Sequence, residues 1–279
     1  MLSALLGLLS ATSWGTSDFF GGLASRRSSA VQATFQSETL GLLMLLCLLP
    51  FTGLPVMSWA DWAWCLAGGA IGAYGLEMLY RALSEGQMSV AAPVSALMAA
   101  LLPVAVAAVT EGLPRPLVLG GFVLALASIW LISQSRDASP HIHIRLADLR
   151  LPLLAGVFFG AYFIMIHQGS QHSLLGTLIV ARTAGSLTLL GLNLARGTLA
   201  WPKRPVWAFI TVNALGDIGG NALYILAGHA GRMDVAAVLG SLYPGMTVVL
   251  AGLVLHERLT RAQVLGILAA LAATAMIAL

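Results

Sequence analysis

"GDIGGNALYILAGHAG", residues 216–231, lies inside a long apolar run yet holds an aspartate, an asparagine and five glycines. Sliding the chain against itself by 144 residues brings "GAYGLEMLY" (72–80) onto "GDIGGNALY" (216–224). Gly72 falls on Gly216, Gly75 on Gly219, Leu79 on Leu223 and Tyr80 on Tyr224. One further residue of shift lays "MSVAAPVSAL" (88–97) on "MDVAAVLGSL" (233–242). One more lays "VLGG" (118–121) on "VLGI" (264–267), and Glu111 on Glu257. Three matches in chain order with so little drift mark an internal duplication.

Composition says what is duplicated. Of 279 residues, 58% are hydrophobic and 9% charged, and the mean hydropathy is +0.89. Soluble domains carry roughly 25% charged residues. So few charges cannot cover a wet surface, so most of the exterior faces lipid. Spanning a bilayer as helix takes about 20 apolar residues. That scale predicts ten helices, at roughly 3–24, 30–52, 62–83, 88–110, 116–134, 151–170, 173–195, 206–228, 233–255 and 261–279. The expected fold is all-α, with ten transmembrane helices in two inverted five-helix repeats. Residues 1–134 form the first repeat, 135–150 a cytoplasmic linker and 151–279 the second. An odd number of spans per repeat makes the second copy enter the membrane in the opposite direction.

Eleven basic residues lie in the loops after spans 1, 3, 5, 7 and 9, and only Arg115 and Arg232 in the others. The positive-inside rule then places the odd loops in the cytoplasm and both termini outside. The opening "MLSALLGLLSATSWG" has no basic n-region and reads as a retained first helix. Cys47 and Cys65 sit in or beside apolar runs, which implies no disulfide framework.

Charges within the spans are the candidate functional groups. A central charge costs about 2.5–3.5 kcal/mol on insertion scales, so such a side chain must face water, find a partner or take up a proton. The acids are Asp18, Glu38, Glu77 and Asp217, and the bases are Arg81 and Arg182. Asp217, Glu38 and Arg182 fall near mid-depth, and Glu38 and Arg182 coincide in the repeat alignment. A Glu38–Arg182 or an Asp217–Arg182 pair is open on this evidence. Glu77 and Arg81, four apart, read first as a local ion pair. Asn221 lies one turn from Asp217. Trp14, Tyr74, Tyr162, Tyr224 and Tyr243 offer rings with polar handles that could line a cavity.

The stretch "VAAVLGSLYPGMTVVLAGLVLHERLTRAQVLGILAALAATAMI" (235–277) resembles the second EamA-type domain of the drug/metabolite transporter superfamily. Tyr243-Pro244, "HER" (256–258) and Gly266 carry the likeness, and residues 88–121 resemble the partner domain more weakly. The resemblance implies a ten-helix secondary carrier, of a kind that often exports amino acids, metabolites or toxic compounds. Two departures stand out. No proline in the first repeat matches Pro244 in register, and Glu38 stands where such domains often have arginine.

Inverted repeats with sites near the midplane suit alternating access. The expected activity is export of a small metabolite, an amino acid or related compound, with antiport of protons through one of the acids. The alternatives are a uniporter or exchanger for a sugar or other neutral metabolite, and an intramembrane lipid-handling enzyme. The last would need a nucleophile–base pair on one face, and none is seen. No enzymatic activity, cofactor, metal or nucleic-acid partner is expected. "HIH" (141–143) lacks a third ligand, and "HER" lacks the second histidine of a zinc-protease motif. Thr260 with Gln263 reads as a capping box opening span 10. His167 and His229 are expected near helix ends.

Overall fold

The computed structural model describes residues 1–25, 27–85, 88–132, 134, 146–200, 206–256 and 259–279, with backbone alone at 80–85, 88–93 and 146–148. Arg26, Arg136, Arg145, Lys203, Arg204, Glu257, Arg258, the histidines of "HIH" and the Arg81 side chain lie outside that set. Among the described residues every regular element is a helix: α1 (Leu2–Ser25), α2 (Ala30–Leu46), α3 (Leu49–Thr52), α4 (Trp59–Glu85), α5 (Met88–Thr110), α6 (Pro116–Ile132), α7 (Leu146–Gly169), α8 (Leu174–Arg196), α9 (Trp207–His229), α10 (Met233–Gly240), α11 (Tyr243–Val254) and α12 (Arg261–Ala278).

Eight expected spans are continuous helices and two are broken. The second divides into α2 and α3, and the ninth into α10 and α11. Both breaks sit at a proline, which lacks the N–H that would continue the ladder. At the second, Leu242 N–H donates to Leu239 O (3.1 Å) and Gly245 N–H to Leu242 O (2.9 Å), so tight three-residue turns replace the α ladder. Around Pro50, Leu48 N–H and Phe51 N–H donate to Leu45 O and Leu48 O in the same way. The expected linker is also shortened, because α7 already includes residues 146–150.

Among the described residues, six segments are long and apolar enough to cross a membrane by length and composition: α2 with α3, residues 149–169 of α7, α8, α9, α10 with α11, and α12. Residues 94–110 of the 23-residue α5, and the 17-residue α6, are apolar stretches of shorter length. In contrast, α1 and α4 have 24 and 27 residues, long enough to span, but are diluted by polar groups. In α1 four of those groups face α9. Ser3, Ser10, Ser13 and Ser17 donate to the carbonyls of Ala227, Gly220, Gly216 and Asn213, at 2.7–2.8 Å. Rising numbers on α1 meet falling numbers on α9, so the two helices are antiparallel. This answers the puzzle of the glycines in 216–231. A Cβ on Gly216 would meet Ser13 O at 3.0 Å, and one on Gly220 would strike the Trp14 ring at 2.4 Å. Small residues let these backbones approach closely.

The same solution recurs between α4 and α7, where Gly68, Gly72 and Gly75 lie against Met165, Tyr162 and Phe158, again antiparallel. Further, α5 runs parallel to α7 (Gly156 on Met98, Gly160 on Leu102), and α1 runs parallel to α10 and α11 (Gly7 on Leu239, Gly15 on Met246). Gly69 of α4 also packs on Ala181 of α8, and the contacts of α2 with α8 and of α6 with α12 are antiparallel. Exchanging the first five spans with the last five maps this neighbour scheme onto itself. The caps follow suit: Ser29 and Ser173, 144 residues apart, each accept the N–H of the third residue on, opening α2 and α8. Thr260 and Gln263 form the reciprocal box at α12.

Candidate functional site

The polar centre begins with Arg182, near the middle of α8, whose side chain is 5% exposed. Its Nη2 donates to Asp217 Oδ2 on α9, and its Nη1 lies 3.4 Å from Glu38 Oε1 on α2. Both pairings left open by the sequence are therefore present, with one guanidinium between two carboxylates. Such a buried cation is tolerable only because its partners offset the desolvation. Space for it comes from Gly41, where a Cβ would stand 2.5 Å from Nη1.

From Asp217 the network continues. Asn221 Nδ2 donates to Asp217 O (2.8 Å) and Oδ2 (3.0 Å), and Tyr162 OH donates to Asn221 Oδ1 (2.5 Å). Tyr162 on α7 thus joins the site from the other side of the bundle. Glu38, Arg182, Asp217, Asn221 and Tyr162 form one chain of polar contacts across four helices.

This chain borders a central cavity enclosing about 960 Å³ of space free of protein atoms, part of it open to the outside. Trp14, Asp18, Glu38, Arg182, Asp217, Asn221 and Tyr243 line it, and with Tyr162 the structure brings together eight of the twelve candidates. Tyr162, Phe159, Phe163, Ile166 and Leu178 complete the wall. Tyr243 reaches the cavity from the break between α10 and α11. A smaller cavity, lined by Ser17, Thr34, Ser37 and Asn213 among others, shares Asp18, Glu38 and Asp217 with the first. It lies toward the end of the bundle where α1 finishes and α2 and α9 begin. At the opposite end Trp14, Phe163 and Tyr224 stack, with ring centroids 5.2 Å (Trp14–Phe163) and 4.8 Å (Phe163–Tyr224) apart.

Three candidates lie elsewhere. Tyr74 is turned outward at 44% exposure. Tyr224 is fully buried within the aromatic stack and donates to Phe163 O (3.1 Å). Glu77, also buried, accepts from Arg196 Nη1 of α8 at 2.7 Å and does not line the cavity. The i,i+4 reading of Glu77 with Arg81 involves a side chain outside the described set. What is described is a partner 119 residues away in sequence. His167 and His229 do lie near helix ends, with rings 5.4 Å apart, and His229 Nε2 is 2.8 Å from Ser170 Oγ.

A family model for the EamA-like transporter family matches residues 1–134 and again residues 149–279. A solved structure titled "Crystal structure of protein" has a TM-score of 0.79, covering 98% of this chain and 95% of that one at 16% identity, a likeness of fold alone. No curated protein matches the chain. With nearly every residue covered by the family model, the chain belongs to the EamA-like transporter family and, through it, to the drug/metabolite transporter superfamily.

Proposed function

We propose that this chain is a secondary transporter that carries a small metabolite outward through the central cavity by alternating access, in exchange for protons. One observation carries the reading: among the described residues a single cation, Arg182, faces three cavity-lining acids, Asp18, Glu38 and Asp217. One guanidinium cannot neutralise three carboxylates in a low-dielectric setting. The balance must come from bound protons or from a bound ligand, and exchange of one for the other is antiport.

Two further features support it. The two halves read as inverted copies of five spans, since the helices that correspond, α2 with α8 and α6 with α12, run in opposite directions. Such scaffolds offer two equivalent arrangements open to opposite sides. In addition, one span is interrupted beside the cavity, a discontinuity typical of carrier sites. A second reading is favoured by the close Arg182–Asp217 contact: a uniporter or exchanger in which the buried charges only hold helices together.

Flux of a radiolabelled metabolite panel in proteoliposomes, with and without an imposed pH gradient, separates the two. Loss of gradient-driven flux in Asp217→Asn, with gradient-free exchange retained, is the expected outcome. Flux indifferent to both the gradient and the substitution would leave the uniporter.

A further inference from the structure

We propose that the central cavity selects a small amphipathic organic cation, with Asp18 as its counter-ion; the assignment rests on that cavity being the transport site argued above. Among the described residues, Arg182 is the one positive group lining the cavity that could hold a substrate carboxylate, and it is already engaged by Asp217 and Glu38. Its second nitrogen, Nη1, has no accessible surface, because it lies over Gly41. An anionic substrate would have to displace a carboxylate from a buried pair.

Asp18 is placed differently. It lies deep in α1, keeps accessible surface, and that surface borders both cavities. Among the described residues it has no hydrogen-bond or ion-pair partner. Asp217 and Tyr243 lie within electrostatic reach. With all groups ionised the described residues of the wall carry three negative charges against one positive. Even with a proton on two of the acids it has no net positive charge, so an anion finds no complementary site in either state.

The rest of the wall fits the body of such a ligand. Tyr243 lies within electrostatic reach of the acid, Trp14 sits one turn before it on α1, and Tyr162 lines the same cavity; a cation over an aromatic face gains from the ring quadrupole. Phe159, Ile166 and Leu178 supply an apolar floor. A carboxylate beside aromatic rings and an apolar floor matches a positive head on a hydrophobic body.

The test uses three compounds with a common phenyl body: phenyltrimethylammonium, phenylalanine and 3-phenylpropanoate. Binding to the purified protein is read by titration calorimetry, and flux by counterflow in proteoliposomes. The expected result is preference for phenyltrimethylammonium, about tenfold or more weaker binding in Asp18→Asn, and substantial retention in Asp18→Glu. Wild-type preference among the three ligands needs no variant to fold. Preference for either carboxylate compound, equal binding by Asp18→Asn, or no binding of any of the three would overturn the cation assignment. Asp18-dependent binding without counterflow would keep the cation site and overturn the transport reading instead.

Discussion

At the scale of single residues, Arg182 is the group on which the polar centre depends. Removing one member of a buried ion pair strands the other and costs about 3–5 kcal/mol. Arg182→Ala should therefore lower thermal stability in detergent markedly, whereas the triple variant Glu38→Gln, Arg182→Met, Asp217→Asn should recover most of it. Transport should be lost in both. A triple variant no more stable than Arg182→Ala would mean that the arginine stem, not its charge, holds the site. Glu38, Arg182 and Asp217 were legible in the sequence because a charge inside an apolar run admits few explanations. Tyr162 was one of five rings the sequence offered for a cavity wall, but its bond to Asn221 was not legible, since a tyrosine in a membrane helix can face lipid, packing or cavity with equal ease. Tyr74 and Tyr224 show the converse: a polar handle on a ring carries no information about direction. The contact of Glu77 with Arg196 was beyond sequence reasoning, since only the fold brings α4 and α8 side by side.

Among the elements, the glycines set how near the helices come. A Cβ on Gly69 would stand 2.0 Å from the backbone oxygen of Ala181, so α4 and α8 would have to separate. Overpacking of this kind costs about 1–3 kcal/mol. Gly191, in α8, has nothing within 4 Å of the same added carbon. Gly69→Ala should lower the melting temperature, while Gly191→Ala should leave it unchanged or raise it through better helix propensity. Equal effects would show that α4 and α8 do not meet as described. Ten spans could be read because hydropathy integrates over about 20 residues. The two breaks could not, because the same averaging hides a two-residue interruption. Pro244 was noticed as a family mark and Pro50 not at all, yet both do the same thing to the ladder. The Ser29 and Ser173 caps, in contrast, follow the 144-residue offset and could have been found by it.

For the whole molecule, sidedness follows from charge. If the charge asymmetry orients the chain as expected, with both termini outside, a cysteine at Arg115 should react with a membrane-impermeant thiol reagent on intact cells, and one at Leu199 only after permeabilisation. Cys47 and Cys65 would first be replaced by alanine. The opposite pattern would reverse the orientation and, with it, the direction assigned to export.

The ninth span joins two unlike halves. Every residue of α10 is buried, whereas Pro244 is the only buried residue of α11, and Leu253 and Val254 near its end are 68% and 49% exposed. One half is gripped by protein and the other is bathed by acyl chains, with Tyr243 of the cavity wall at the joint. Hydrophobic mismatch, at fractions of a kcal/mol per Å, therefore acts on α11 and reaches the cavity through the joint. Flux should vary with acyl-chain length in reconstituted bilayers, and Pro244→Ala, by stiffening the joint, should flatten that dependence. The bilayer's thickness then becomes an input to the carrier as well as its solvent.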